Sequence, residues 1–146
     1  MVVEKTHLEG LLLIKPNVHK DKRGYFYENY RDELFEANGL PTNYRQDNQT
    51  KSVKGTLRGL HYQMKYPQGK LVRVSLGMVY DVAVDLRKTS PTFGQYFGLN
   101  LTDKDHIQIY IPPGFAHGFC VLSDQAIFQY KCTEIYHPED EYGIRW

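Results

Sequence analysis

The stretch Thr56-Leu57-Arg58-Gly59-Leu60-His61-Tyr62-Gln63, followed by Gln68-Gly69-Lys70, puts a histidine, an arginine and a lysine close together in a segment built like β-structure. Histidine takes up a proton near neutral pH, and fixed cations beside it can hold the negative charge that proton loss creates. That set is the minimum needed to remove a proton next to a carbonyl. A second segment, Ile111-Pro112-Pro113-Gly114-Phe115-Ala116-His117-Gly118, offers another histidine from a different strand end. Inversion at carbon also needs a proton donor on the opposite face, and a phenol can serve. Tyr130 has the right chemistry. A lone inward histidine is ordinarily a hydrogen-bonded core residue, but Arg58 and Lys70 change that balance, because buried cations need an anionic partner or a ligand.

The elements that must position these groups read as strands. His7 to Pro16 is an apolar opening strand, and Gly24 to Tyr30 an aromatic one. Arg31 to Asn38 carries one short helix, stopped by Gly39 and Pro41. Val72, Val74 and Leu76 alternate with Leu71, Arg73 and Ser75 until Gly77 breaks the run. Tyr80, Val82, Val84 and Leu86 then alternate with Asp81, Ala83 and Asp85, which points the apolar set inward and the acidic set outward. Ile107, Ile109 and Ile111 alternate up to Pro112. Ala126, Phe128, Tyr130 and Cys132 share one strand face, so Tyr130 points the same way as residues that fill a barrel. Many short strands with almost no helix predict an all-β chain, a closed barrel or jelly roll whose inward polar groups converge on a pocket.

The bulk composition agrees. The 146 residues suit one domain, 1–146. Twelve tyrosines suit strands and a wet, partly polar cavity. A formal charge of +1 gives no reason to expect nucleic-acid binding. The opening residues do not read as a signal peptide, and the longest early apolar run is too short to span a bilayer, so no membrane partner is expected. Cys120 and Cys132 match neither a metal spacing nor a disulfide framework, and read as buried thiols of a cytoplasmic protein.

Pro112-x-Gly114-x-x-His117 resembles the second motif of the cupin barrels. Metal-binding cupins supply a His-x-His pair and a later glutamate from their first motif, but here that stretch reads His61-Tyr62-Gln63. Two histidines without a carboxylate make a poor metal site, so no metal and no cofactor are expected. No Gly-x-Ser-x-Gly elbow or nucleotide-triphosphatase phosphate loop is present.

A longer series carries a more specific likeness. Leu57 to Gln63, Gln68 to Val74, Asp81 to Arg87, Ser90-Pro91-Thr92-Phe93-Gly94, Pro112 to Phe119 and Gly143-Ile144-Arg145-Trp146 occur in order. From about Arg23-Gly24-Tyr25-Phe26 to the last residue, the chain closely resembles the dTDP-4-dehydrorhamnose 3,5-epimerases and related nucleotide-sugar epimerases of the cupin superfamily. The resemblance implies a cupin-type jelly-roll β-barrel. It also implies cofactor-independent epimerisation at carbon 3, carbon 5 or both of a nucleotide-linked 4-keto-6-deoxyhexose. By the same resemblance, His61 is the catalytic base, Tyr130 the proton donor and Lys70 the group that stabilises the enolate. Arg23, Glu28, Gln46, Asp47, Asn48, Arg58, His117 and Glu141 match positions that contact the nucleotide sugar, and Tyr136 matches a tyrosine that stacks on the base. Homodimerisation is implied too, with the opening strand pairing into the partner's sheet.

The likeness leaves some points open. Family members continue beyond the Gly-Ile-Arg-Trp motif into a tail whose aspartate orients the catalytic histidine. On this sequence, Asp81 or Asp85 is the expected substitute; a naturally short chain and a shortened one are equally open. Three other functions stay in view: a non-catalytic nucleotide-sugar-binding cupin, a 3-only epimerase for a GDP- or CDP-linked sugar, and a metal-dependent cupin oxygenase.

Overall fold

The computed structural model describes residues 1–146. Thirteen strands follow in chain order: β1 (Val2–Lys5), β2 (Leu12–Lys15), β3 (His19–Asp21), β4 (Gly24–Phe26), β5 (Gln46–Val53), β6 (Leu57–Gln63), β7 (Lys70–Leu76), β8 (Met78–Asp85), β9 (Tyr96–Thr102), β10 (Gln108–Ile111), β11 (Phe115–Val121), β12 (Gln125–Cys132) and β13 (Glu141–Gly143). One sheet runs β1-β2-β10-β7-β12-β5 and a second runs β13-β6-β11-β8-β9, both antiparallel, while β3 and β4 form a separate hairpin. The two large sheets make the jelly roll expected from the alternating patterns.

The core lies between them. Val72 and Val74 of β7, Ile109 and Ile111 of β10, and Ala126 and Phe128 of β12 meet Val79 and Ala83 of β8, Leu101 of β9 and Phe119 and Val121 of β11. The period-two readings of β10 and β12 therefore hold, and that of β7 holds through Val74, while Leu76 at the strand's end is exposed. The one helix, α1 (Asp32–Ala37), buries Phe35 against Ile14, Leu40 and Leu71 and ends before Gly39, where φ is +72°. No helix is long and apolar enough to cross a membrane.

Three expectations change. The opening segment is two strands, because Thr6 to Leu11 form a turn through Gly10 (φ +83°). Within the chain β2 is bonded on both sides, to β1 and β10, so at this end of the sheet the free edge is β1, with β5 at the other end. The aromatic strand is only Gly24–Phe26, a hairpin arm with every residue exposed. The facing of β8 is inverted. Val79, Asp81, Ala83 and Asp85 point inward and are buried, whereas Tyr80 is exposed and Val82 packs on the outer face with Leu60 and Ala116.

Buried carboxylates are tolerated only with dense polar partners, and Asp85 has them. It accepts bonds from the Arg87 guanidinium (2.9 and 2.8 Å), the Arg87 N–H (3.0 Å), Ser90 Oγ (2.6 Å) and Thr92 Oγ1 (2.7 Å). The Arg87 guanidinium, helped by the two hydroxyls, holds the Asp85 carboxyl well below the usual carboxylate range, against the opposing effect of burial. A depressed folded-state pKa gives stability that is complete above the unfolded value, about 3.9, and is lost as pH falls toward the folded value. Asp85→Asn is expected to cost about 3 kcal/mol at neutral pH, as breaking a buried pair does. Urea titration at pH 7 and pH 3 checks this: the difference between wild type and variant should shrink at the lower pH.

Candidate active site

The open end of the barrel holds a cavity of about 660 Å³ between the two sheets. β6 supplies Arg58 and His61, β11 supplies His117 and Phe119, and β13 supplies Glu141. From the opposite sheet come Gln46, Asn48 and Thr50 of β5, Lys70 of β7 and Tyr130 of β12, while Gln68 and Tyr136 close the rim. His61 and Tyr130 thus enter from opposing walls.

Each group sits in a defined environment. Lys70 stands at the start of β7, where burial pushes its pKa down while Cys132, Glu141 and Asp81 pull it up through space. Burial raises the Tyr130 pKa, which keeps the phenol protonated. The neighbouring Cys132 thiol is pushed up to about 11, again by burial, and is neutral. Arg58 Nε donates to Ser52 Oγ at 3.2 Å. His117 Nε2 lies 2.9 Å from Asp81 Oδ2, both buried.

At the rim, Glu141 links two groups. Its Oε1 lies 3.5 Å from His61 Nδ1, and its Oε2 accepts from the Tyr136 hydroxyl at 3.1 Å, which raises the tyrosine's pKa. The Tyr136 N–H donates to Gln46 Oε1 (2.8 Å), and Gln46 Nε2 donates to Asn48 Oδ1 (2.9 Å). A buried clasp holds this segment against the end of β6. Gln63 Nε2 donates to the carbonyls of Tyr66 and Ile135, its Oε1 accepts from the His137 N–H, and Asp140 Oδ2 accepts from the N–H groups of Lys65 and Tyr66.

Nine of the twelve residues expected at the site line this cavity: His61, Tyr130, Lys70, Gln46, Asn48, Arg58, His117, Tyr136 and Glu141. Three do not. Asp47 lies between two inward residues of β5, so the strand's period turns it outward, where it pairs with Lys131 at 2.8 Å. Arg23 sits on the β3–β4 hairpin, outside both barrel sheets, and pairs with Asp21 at 2.7 Å. Glu28 follows that hairpin and pairs with Arg31 at 3.2 Å.

The expected substitute carboxylate is also corrected. Asp81 is committed to His117 and Asp85 to Arg87, Ser90 and Thr92, and the carboxylate that reaches His61 is Glu141. The partnership of Asp81 with His117 follows only once the face carrying Asp81, Ala83 and Asp85 is taken as the inward one. The clasp of Gln63 and Asp140 had no local signal, because its partners are backbone groups distant in the chain. The titratable donors gathered here form no set of three suited to a metal ion.

The two sheets thus form a jelly roll whose cavity carries His61 on one wall and Tyr130 on the other, with Arg58 and Lys70 also in its lining. Comparison with known proteins makes the assignment specific. The family model for dTDP-4-dehydrorhamnose 3,5-epimerase matches residues 5–146, and the chain belongs to that family. It is 54% identical over 142 residues to the dTDP-4-dehydrorhamnose 3,5-epimerase of Methanothermobacter thermautotrophicus, covering 97% of this chain and 77% of that one. The crystal structure of dTDP-6-deoxy-D-glucose-3,5-epimerase from Legionella pneumophila, in complex with dTDP-4-keto-L-rhamnose, superposes with a TM-score of 0.96. It is 49% identical, over 99% of this chain and 78% of that one. The Bacillus anthracis dTDP-4-dehydrorhamnose 3,5-epimerase, with TDP and PPi bound, gives a TM-score of 0.96 at 41% identity, over 99% and 84%.

Proposed function

We propose that this chain is an isomerase that epimerises a dTDP-linked 4-keto-6-deoxyhexose at carbons 3 and 5, as its relatives' names describe. The observation that carries this reading is the gathering of His61, Lys70 and Tyr130 in one cavity, with base and phenol on opposite sheets. The protons on carbon 3 and carbon 5 are both acidified by the carbon 4 ketone. His61 takes one of them, the C–H electron pair becomes the enolate double bond, and the negative charge moves to the carbon 4 oxygen. Lys70 faces that oxygen, and a partly desolvated ammonium stabilises it strongly because little water competes. Tyr130 returns a proton to the same carbon from the other face, which inverts it, and the ketone re-forms. His61 then gives up its proton to solvent and the phenolate regains one, so no external oxidant or cofactor enters the balance.

Arg58 and His117 supply charge-assisted donors for the diphosphate, and the Tyr136 ring an aromatic face for the base. Arg23, Glu28 and Asp47 stand outside this cavity. The bare edge of β1 supports homodimerisation through that sheet. The free thiols Cys120 and Cys132 fit a reducing, cytoplasmic setting.

The test is incubation with dTDP-4-keto-6-deoxyglucose in heavy water, followed by NMR. Deuterium at carbons 3 and 5 with inversion at both is expected. Deuterium at carbon 3 alone would replace this reading by a 3-epimerase, and binding without exchange by a sugar-nucleotide-binding protein.

A further inference from the structure

Arg58 and His61 lie three residues apart on β6, a spacing that a regular strand sends to opposite faces. Both nevertheless line the cavity, while Leu60 and Tyr62 pack on the outer face with Val82 and Ala116. The cause lies in the pairing with β11. His117 opposes His61 and Phe119 opposes Arg58, so Gly59 and Leu60 together face the single residue Gly118. Two residues against one is a β-bulge, and it turns Arg58 back onto the face that carries His61.

The bulge depends on close backbone approach. Gly59 has φ +89°, and a Cβ there would lie 2.4 Å from the His117 carbonyl oxygen. Gly118 is needed for space alone. A Cβ on it would lie 2.4 Å from the Arg58 carbonyl oxygen and 2.9 Å from Trp146 Cζ2. From the outer face, the Trp146 indole N–H donates to the Gly59 carbonyl at 3.0 Å, bracing the strand where its ladder is interrupted.

We propose that Gly118 is a positioning residue for the reaction. By admitting the bulge, and with Trp146 bracing it, Gly118 sets the diphosphate-holding Arg58 and the base His61 in one register toward a single ligand. This rests on the roles proposed above for those two side chains. An alanine at 118 cannot keep its Cβ at 2.4 Å from the Arg58 carbonyl oxygen, and ordinary contact begins at 3.4 Å, so β6 and β11 must part locally at the bulge by up to about an ångström.

Three measurements test this. In a crystal structure of Gly118→Ala, Arg58 is expected to have left Ser52. Turnover, read as deuterium exchange well below the variant's Tm, should fall about 10²-fold, the usual consequence of misplacement by an ångström. Affinity for dTDP should weaken about tenfold, roughly the loss of one charge-assisted bond. Val79→Ala, a core truncation away from the cavity, controls for instability and should keep wild-type turnover and affinity at the same temperature. Should Gly118→Ala fail to fold, Trp146→Phe carries the test. It keeps a smaller aromatic ring and removes the indole N–H, and turnover should fall several-fold with dTDP affinity also reduced. Gly118→Ala with Arg58 still on Ser52, and kinetics like those of Val79→Ala, would overturn the proposal. So would unchanged turnover and affinity in Trp146→Phe when the glycine variant does not fold. If the wild-type protein does not exchange deuterium, the functional reading fails, yet the position of Arg58 in the variant's structure still decides what Gly118 does.

Discussion

His61→Asn is expected to abolish measurable exchange at carbons 3 and 5, lowering turnover by about 10² to 10⁴-fold, the range supplied by a positioned general base. Asparagine keeps a polar amide in the cavity and cannot accept a proton at neutral pH. The ring it replaces is half exposed and reaches only Glu141, at 3.5 Å, so its removal leaves the barrel core untouched. Stability should therefore be near that of the wild type. The expected kinetic signature is a parallel fall in kcat and kcat/KM with dTDP affinity retained, because the lost interaction exists only as the proton moves. Exchange by NMR and nucleotide affinity by calorimetry make the check. A variant that still exchanges at the wild-type rate would place the base elsewhere, with His117 the next imidazole in the cavity.

The sequence made the β class legible where one strand face meets the core. Val72 with Val74, Ile109 with Ile111, and Ala126 with Phe128 announce their facing because burial of apolar surface fixes the register. The same logic misled on β8. Its buried face carries two aspartates, each held by partners that hydropathy cannot reveal: His117 for Asp81, and Arg87, Ser90 and Thr92 for Asp85. The site was legible as motifs more than as geometry. Gln46-Asp47-Asn48 reads as one contacting triplet, yet a strand divides it between two faces and leaves Asp47 with Lys131. Arg58 presents the reverse case. Strict alternation places it outside, and only the tertiary approach of Gly118 to Gly59 turns it in. Arg23 and Glu28 are site residues only by the family resemblance, and nothing in their own stretch says that the hairpin stands apart from both sheets.

Tyr130→Phe is expected to separate the two halves of the reaction. The phenol has no hydrogen-bond partner within the protein, and its ring packs near Phe128 with centroids 6.0 Å apart, so phenylalanine keeps the packing and removes only the hydroxyl. Removal of the proton by His61 and support of the enolate by Lys70 do not involve that hydroxyl. Deuterium should therefore still enter carbons 3 and 5, returned by the base to the face from which the proton came. What should fall, by about 10² to 10⁴-fold, is the appearance of inverted product, since the donor on the opposite wall is gone. Burial that raises the Tyr130 pKa supports this assignment, because a phenol kept protonated at neutral pH is ready to give a proton to a carbon. One NMR experiment in heavy water reads both outcomes, as label incorporated with retained configuration and label incorporated with inversion. Wild-type inversion by the phenylalanine variant would assign delivery to water or another acid. Loss of exchange together with inversion would mean that the hydroxyl is needed in the first step, which contradicts a division of labour between facing sheets.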